Sequence, residues 1–240
     1  MIGFVLGVAL FACGPSDTAG VPARSDERIF SATLGSFSTT LIGSNPARTA
    51  NIRRSVEALD GTVLRPGEQL SFNAMVGERT AARGYQQAPV ILHETRQLQL
   101  GGGICQTAST IFAAALLSGL SVAERHRHSF PVDYITLGED ATIAWGVKDL
   151  RVRNDLDQPV RLRLQILGLT LSARFEAEEG IPDGFELETV EREGPASDDG
   201  VPGREIELYR LRRVDGETVD RELVHLDVYP PTMTRPTEPR

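Results

Sequence analysis

The chain has 240 residues, 40% of them hydrophobic, which suits one large domain or one domain with attachments. Its net charge of −8 argues against binding nucleic acid through bulk electrostatics, and no internal stretch is long and apolar enough to span a bilayer. Lys148 is the single lysine among 25 basic residues, a bias that a GC-rich genome explains without a site.

Residues 2–12, IGFVLGVALFA, form an apolar run of signal-peptide size that ends at Leu10-Phe11-Ala12-Cys13. This resembles a bacterial lipoprotein signal, in which Cys13 is lipidated and becomes the mature N-terminus; a plain signal peptide is the alternative. Residues 14–27 read as a polar tether rich in Pro, Gly, Ser and Asp. The segment 44–61 predicts a helix, with Asn45 as cap, Pro46 in the first turn, Gly61 beyond the end, and Ile52, Val56 and Leu59 on one face. TVLRPGEQLSFN and YQQAPVILHETRQLQL predict strands, the first interrupted at Pro66-Gly67.

A helix beginning at Cys105 is the clearest element. Ala108, Ile111, Phe112, Ala115 and Leu116 recur at helical spacing, and Gly119 is placed to end it. No polar residue falls between Ile111 and Leu117, so the helix is expected to be buried nearly all round. Strands follow at 160–167 and 171–175, then two runs joined at an Asp215-Gly216 hairpin turn. His93 and His225 carry no motif, and residues 230–240 read as a disordered tail. The expected fold is α+β: a buried central helix on mainly antiparallel sheet, with a β-rich extension over 177–229.

Three glycines, Gly101, Gly102 and Gly103, run directly into Ile104 and Cys105. Glycines allow close backbone approach, and a helix N-terminus favours a thiolate because its first N–H groups and its dipole are positive there. The backbone of Gly103–Gln106 could also meet the oxyanion of a carbonyl under attack. If Cys13 carries lipid, Cys105 has no partner in an oxidising compartment, which marks it as a reactive thiol. A buried inert cysteine and a Cys13–Cys105 disulfide are the competing readings.

ERHRHSFPVDY (124–134) supplies His126 and His128, which share a side if the stretch is extended. Either could serve as base to Cys105, with Asp140 or Asp149 orienting it. A metal site built from Cys105, both histidines and a carboxylate is a further reading, although no second Cys/His pair completes a zinc pattern.

Four segments together resemble the VanW-like family: FSTT (37–40), residues 51–85, GGGICQTASTIFAAALLSGL (101–120) and residues 124–154. The likeness covers about residues 28–176. It places the family motif on Gly101, Gly102, Gly103, Cys105 and Gln106, on Arg125, His128 and Ser129, and on Asp140 and Asp149; it favours His128 over His126. The resemblance implies an exported bacterial protein, since such domains occur beside modules associated with peptidoglycan. The expected function is cysteine-dependent acyl transfer on peptidoglycan peptides, hydrolytic or transpeptidating, at the envelope, with membrane attachment through Cys13 and no cofactor. A non-enzymatic peptidoglycan-binding module and a metal-dependent amidase or carboxypeptidase are the alternatives.

Overall fold

The computed structural model describes residues 30–231, apart from 93–94, 197 and 199. The lipoprotein signal, Cys13, the tether, His93 and nearly all of the tail therefore lie outside the described residues. Among the described residues, every strand pairing is antiparallel.

The chain enters as β1 (Ala32–Thr40), an element with no strong local signal in the sequence, and passes to α1 (Pro46–Leu59). Asn45 caps α1 as expected: its Oδ1 accepts from the Arg48 N–H at 2.8 Å. Ile52, Val56 and Leu59 are buried on the predicted face. Two short strands, β2 (Val63–Leu64) and β3 (Gln69–Ser71), bracket the Pro66-Gly67 break. A short helix, α2 (Phe72–Val76), follows where the sequence suggested only strand; Ser71 caps it by accepting from the Ala74 N–H. The hairpin of β4 (Gln87–Leu92) and β5 (Thr95–Leu100) then leads into the glycine turn.

Helix α3 (Ile104–Leu117) starts one residue before Cys105 and ends at Ser118, with Gly119 left-handed beyond it. Its residues from Ile111 to Leu116 are all buried, as the unbroken apolar run requires. The first sheet has strand order β1–β9–β8–β2, where β8 is Val160–Leu167 and β9 is Thr170–Ala177. Helix α3 contacts β1 and β9 of this sheet. Gly35 lets the contact close, because a Cβ there would lie 2.4 Å from the Leu117 carbonyl. Buried polar pairs fix the register: Thr39 Oγ1 to Thr110 Oγ1 at 2.9 Å, and Gln106 Nε2 donating to Thr39 Oγ1 at 3.0 Å and Thr40 O at 2.8 Å. The FSTT segment and the Gln106 that follows the cysteine thus hold each other.

A second sheet joins β3 to β7 (Arg151–Arg153) and β6 (Ser121–Glu124). The C-terminal extension is a meander of β10 (Phe185–Gly194), β11 (Gly203–Val214) and β12 (Glu217–Tyr229). Asp215 and Gly216, both at positive φ, make the predicted hairpin turn. Phe185 packs at the end of α3 beside Gly119, and Arg210 Nη1 donates to Leu120 O at 2.9 Å, so the meander is seated on the rest of the chain.

Candidate active site

Cys105 is held by backbone geometry. Gly101 and Gly103 have φ of 79° and 105°, and Gly102 runs so close to β4 that a Cβ would lie 2.4 Å from the Ala88 carbonyl oxygen. Asn51, buried on α1, ties this turn down: its Nδ2 donates to Gln86 O at 2.9 Å and Gly102 O at 3.0 Å, and its Oδ1 accepts from the Gln86 N–H at 2.8 Å. No local pattern announces this role, since a lone Asn in a helix reads as a solvent-facing polar residue. Gly102→Ala should cost about 1–3 kcal/mol, because the obstructing atom is strand backbone that cannot yield. Thermal melting of the variant against wild type checks this.

Cys105 as a residue is half-buried. Its sulfur lies 3.5 Å from Thr142 Oγ1 and 3.7 Å from the Ile143 carbonyl. Burial raises its pKa, but interaction with His128, through a hydrogen bond and through charge, outweighs that together with Ile143 and Thr142 and brings it down to about 7. His128 is the converse. Burial opposes its charge, yet its bonds to Asp140 and to the thiolate raise its pKa to about 9. Asp140 Oδ2 accepts from the backbone N–H of His128 at 2.7 Å and pairs with its Nδ1 at 2.6 Å. The Asp140 carboxyl, although desolvated, is held below the usual carboxylate range by His128 and by Arg125.

Cys105, His128 and Asp140 therefore form a linked row: Asp140 takes Nδ1 of His128, and His128 acts on the thiol through hydrogen bonding and charge. Local pins hold the row. Ser109, one turn along α3 from the thiol, accepts from the Ala141 N–H at 2.9 Å, and the Thr142 N–H donates to His126 O at 2.7 Å. Tyr134 closes one side, edge-on to the His128 ring at 6.4 Å, with its hydroxyl 3.4 Å from Ser109 Oγ.

Other expected site residues go elsewhere. His126 does not share a side with His128, because residues 125–129 are not a regular strand; its Nε2 pairs with Glu124 Oε1 at 3.0 Å. That removes it from the base role and from the metal set suggested with Cys105. Among the described residues, no group of three or more His, Cys, Asp or Glu side chains is arranged to hold a metal ion. Asp149 is not the orienting acid: it accepts from Ser71 Oγ and from the Asn73 and Leu150 N–H groups, and pairs with Arg151. Strand β7 begins just after it and carries it to β3. Gln106 is also corrected. Its backbone N–H already donates to Gly103 O at 2.9 Å and its side chain anchors β1, so neither is left over at the helix mouth. Ser129 is exposed.

Arg125 does what no local pattern announces. Its Nε donates to Asp140 O at 2.7 Å and its Nη2 to Asp140 Oδ1 at 3.0 Å, while its Nη1 bonds both oxygens of Asp227 at 2.7 and 2.8 Å. Asp227 sits on β12, so the extension reaches the acid of the row. His225, two residues earlier, is not a bystander either: it is mostly buried, packs on Phe112 of α3 with ring centroids 6.0 Å apart, and is held neutral by burial and by Arg125, its pKa pushed down to about 4. A recess of about 560 Å³ lies here, lined by Arg125, His126, Lys148, His225 and Asp227 among others, but not by Cys105.

The family model described as VanW like protein matches residues 47–175, more than half of the chain. The chain belongs to the VanW family. Among similar proteins, Uncharacterized protein YoaR of Bacillus subtilis (strain 168) is 41% identical over 135 residues, covering 56% of this chain and 45% of that protein. The Vancomycin B-type resistance protein VanW of Enterococcus faecalis is 33% identical over 113 residues, covering 45% of this chain and 41% of that protein. The chain thus spans under half the length of either relative at the matched region. No solved structure matches it significantly. The VanW match contains Cys105, His128 and Asp140 but stops before the meander and Asp227.

Proposed function

We propose that this VanW-family chain is a cysteine acyl-transfer enzyme acting on peptidoglycan peptides at the bacterial envelope, held there by lipid on Cys13. The observation that carries the reading is the Cys105–His128–Asp140 row, in which a thiol shifted down to about 7 faces an imidazole shifted up to about 9. Those values favour a thiolate–imidazolium pair near neutral pH. The thiolate attacks an amide carbonyl carbon, forming a C–S bond and an oxyanion that the Cys105 N–H can meet. Collapse breaks the C–N bond, and His128 gives its proton to the departing amine. Water or a second amine then attacks the thioester, losing its proton to His128 and regenerating the thiolate. The envelope setting and peptide substrate rest on the company VanW domains keep, and one relative is named for vancomycin resistance. We take the working unit to run from β1 through β12, because Asp227 joins the network from outside the family match.

The test is a digest of purified sacculi by the wild-type chain and by Cys105→Ala, with the released or newly cross-linked muropeptides separated by chromatography. Wild type should change the profile, and Cys105→Ala should lower turnover by at least about 1,000-fold, as loss of a nucleophile does. Identical profiles from the two proteins would exclude the enzyme, and sacculus binding retained by both would then favour the binding module.

A further inference from the structure

The glycine turn that carries Cys105 is walled on both sides by an arginine. A Cβ on Gly103 would fall 2.5 Å from Arg48 Cγ, and one on Gly101 would fall 2.8 Å from Arg79 Cγ. The two glycines leave room for these stems. Arg48 comes from the first turn of α1 and Arg79 from the loop after α2, so separate elements bring the pair to the turn. Each guanidinium lies over an aromatic ring with its carbon 5.8 Å from the centroid: Arg48 over Tyr134, and Arg79 over Trp145, a half-exposed ring. Arg79 is further fixed by bonds to Asn73 Oδ1 and Gly77 O, each 2.8 Å. Both of those bonds use Nη1, so they do not consume the fork of Nε and Nη2.

Burial weakens the charged form of both arginines, and the charge of Cys105 offsets this at each. Asp133 and Tyr134 also lie in the field of Arg48, as Tyr85, Asp149 and Arg83 do in that of Arg79. The carboxylate of Asp149 is already engaged by Ser71, by two backbone N–H groups and by Arg151. A thiolate needs one cationic partner, and His128 supplies it. Two more guanidinium groups, partly desolvated and stacked in place beside the glycine turn, exceed that need. Planar forks in such a setting suit a planar, bidentate anion.

We infer that Arg48 and Arg79 form a carboxylate clamp beside Cys105, so that the acyl donor carries a free carboxylate close to the carbonyl attacked. The inference rests on the acyl-transfer reading and narrows its substrate to acidic peptides, with the carboxylate on the scissile residue or next to it. Neutral amides of the same length would bind less well and be turned over more slowly.

Iodoacetate and iodoacetamide test this without a known substrate, since they differ by a carboxylate against an amide beside the same reactive carbon. The full chain is alkylated with each at fixed pH and ionic strength, and the ratio of rates is compared with that of glutathione. The clamp should raise the iodoacetate-to-iodoacetamide ratio about tenfold above the glutathione value, the scale of one charge-assisted contact. Arg48→Gln and Arg79→Gln should each slow iodoacetate more than iodoacetamide and so return the ratio toward glutathione. Arg53→Gln, the same charge change at an exposed position of α1, should leave the ratio where it was. A wild-type ratio equal to that of glutathione overturns the clamp, as does an equal response to Arg53→Gln, which would mean general attraction by net charge. A collapse of the iodoacetamide rate in the Gln variants also overturns it, because the arginines would then serve the thiolate. A thiol silent to both reagents until the chain unfolds removes the acyl-transfer reading itself, and so is told apart from failure of the clamp alone.

Discussion

His128→Ala is expected to move the pH dependence of Cys105 alkylation by about two pH units, from an inflection near 7 to one at or above the unfolded value of 9.0. In wild type, His128 and the polar contacts at Ile143 and Thr142 together overcome the burial penalty. With His128 gone the penalty remains and most of the compensation does not. At pH 7 the thiolate then falls from about half of the population to about one part in a hundred. A more basic thiolate is intrinsically faster, by about tenfold for such a shift, so the net loss of rate is smaller than the loss of thiolate. The inflection is therefore the sharper reading. An inflection that does not move in His128→Ala would separate the histidine from the thiol and remove the base from the proposed mechanism.

The same shifts leave little trace in stability, and the signs show why. A lowered Cys105 contributes stability above its unfolded value of 9.0 and loses it as pH falls through about 7. A raised His128 contributes below its unfolded value of 6.5 and loses that as pH rises through about 9. Between those limits the folded pair holds its proton on the imidazole, while the unfolded chain holds one on the thiol. The proton count is the same in both states, so the pair gives a nearly flat contribution to stability there. Activity should nonetheless be bell-shaped over that window, rising as the thiol ionises and falling as the imidazolium is lost.

What the sequence reveals divides along the range of the signal. Asn45 with Pro46, the glycines before α3, the apolar run from Ile111 and the Asp215-Gly216 turn are local devices, and each produced its element. β1 and α2 were not legible, because pairing with β9 and capping by Ser71 decide them. The site was half legible. A cysteine behind glycines at a helix mouth singles out a candidate thiol from neighbours alone. Choosing between His126 and His128 needs the course of residues 125–143, which have little regular structure and no period to read. Choosing Asp140 over Asp149 needs the pairing of β7 with β3, which draws Asp149 to Ser71. Asn51, Arg48 and Arg79 act on the glycine turn from other elements, and no spacing rule links them to it.

Arg125→Met is expected to be the most destabilising single change near the site, costing about 3–5 kcal/mol, because it strands two buried carboxylates that face one guanidinium. The side chains of Arg125, Asp140 and Asp227 are only 8%, 2% and 8% exposed, so water screens them little. In a chain of this size the loss corresponds to a fall in Tm of roughly 10 °C or more. Asp227→Asn is the gentler and more informative variant. It keeps the shape on β12, removes one charge, and weakens a two-oxygen contact worth about 1.5–3 kcal/mol. With Asp227 neutral, the full charge of Arg125 bears on Asp140, which then holds the imidazolium of His128 less strongly. The upper limb of the alkylation profile, set by His128 near 9, should therefore shift to lower pH, while the limb set by Cys105 rises. A brace that only holds the meander in place would lower Tm and leave both limbs unmoved. Asp227 lies 102 residues from Arg125 and beyond the family match. A shifted profile in Asp227→Asn would thus make the extension a positioning part of the site, and an unmoved one would leave it a structural cover.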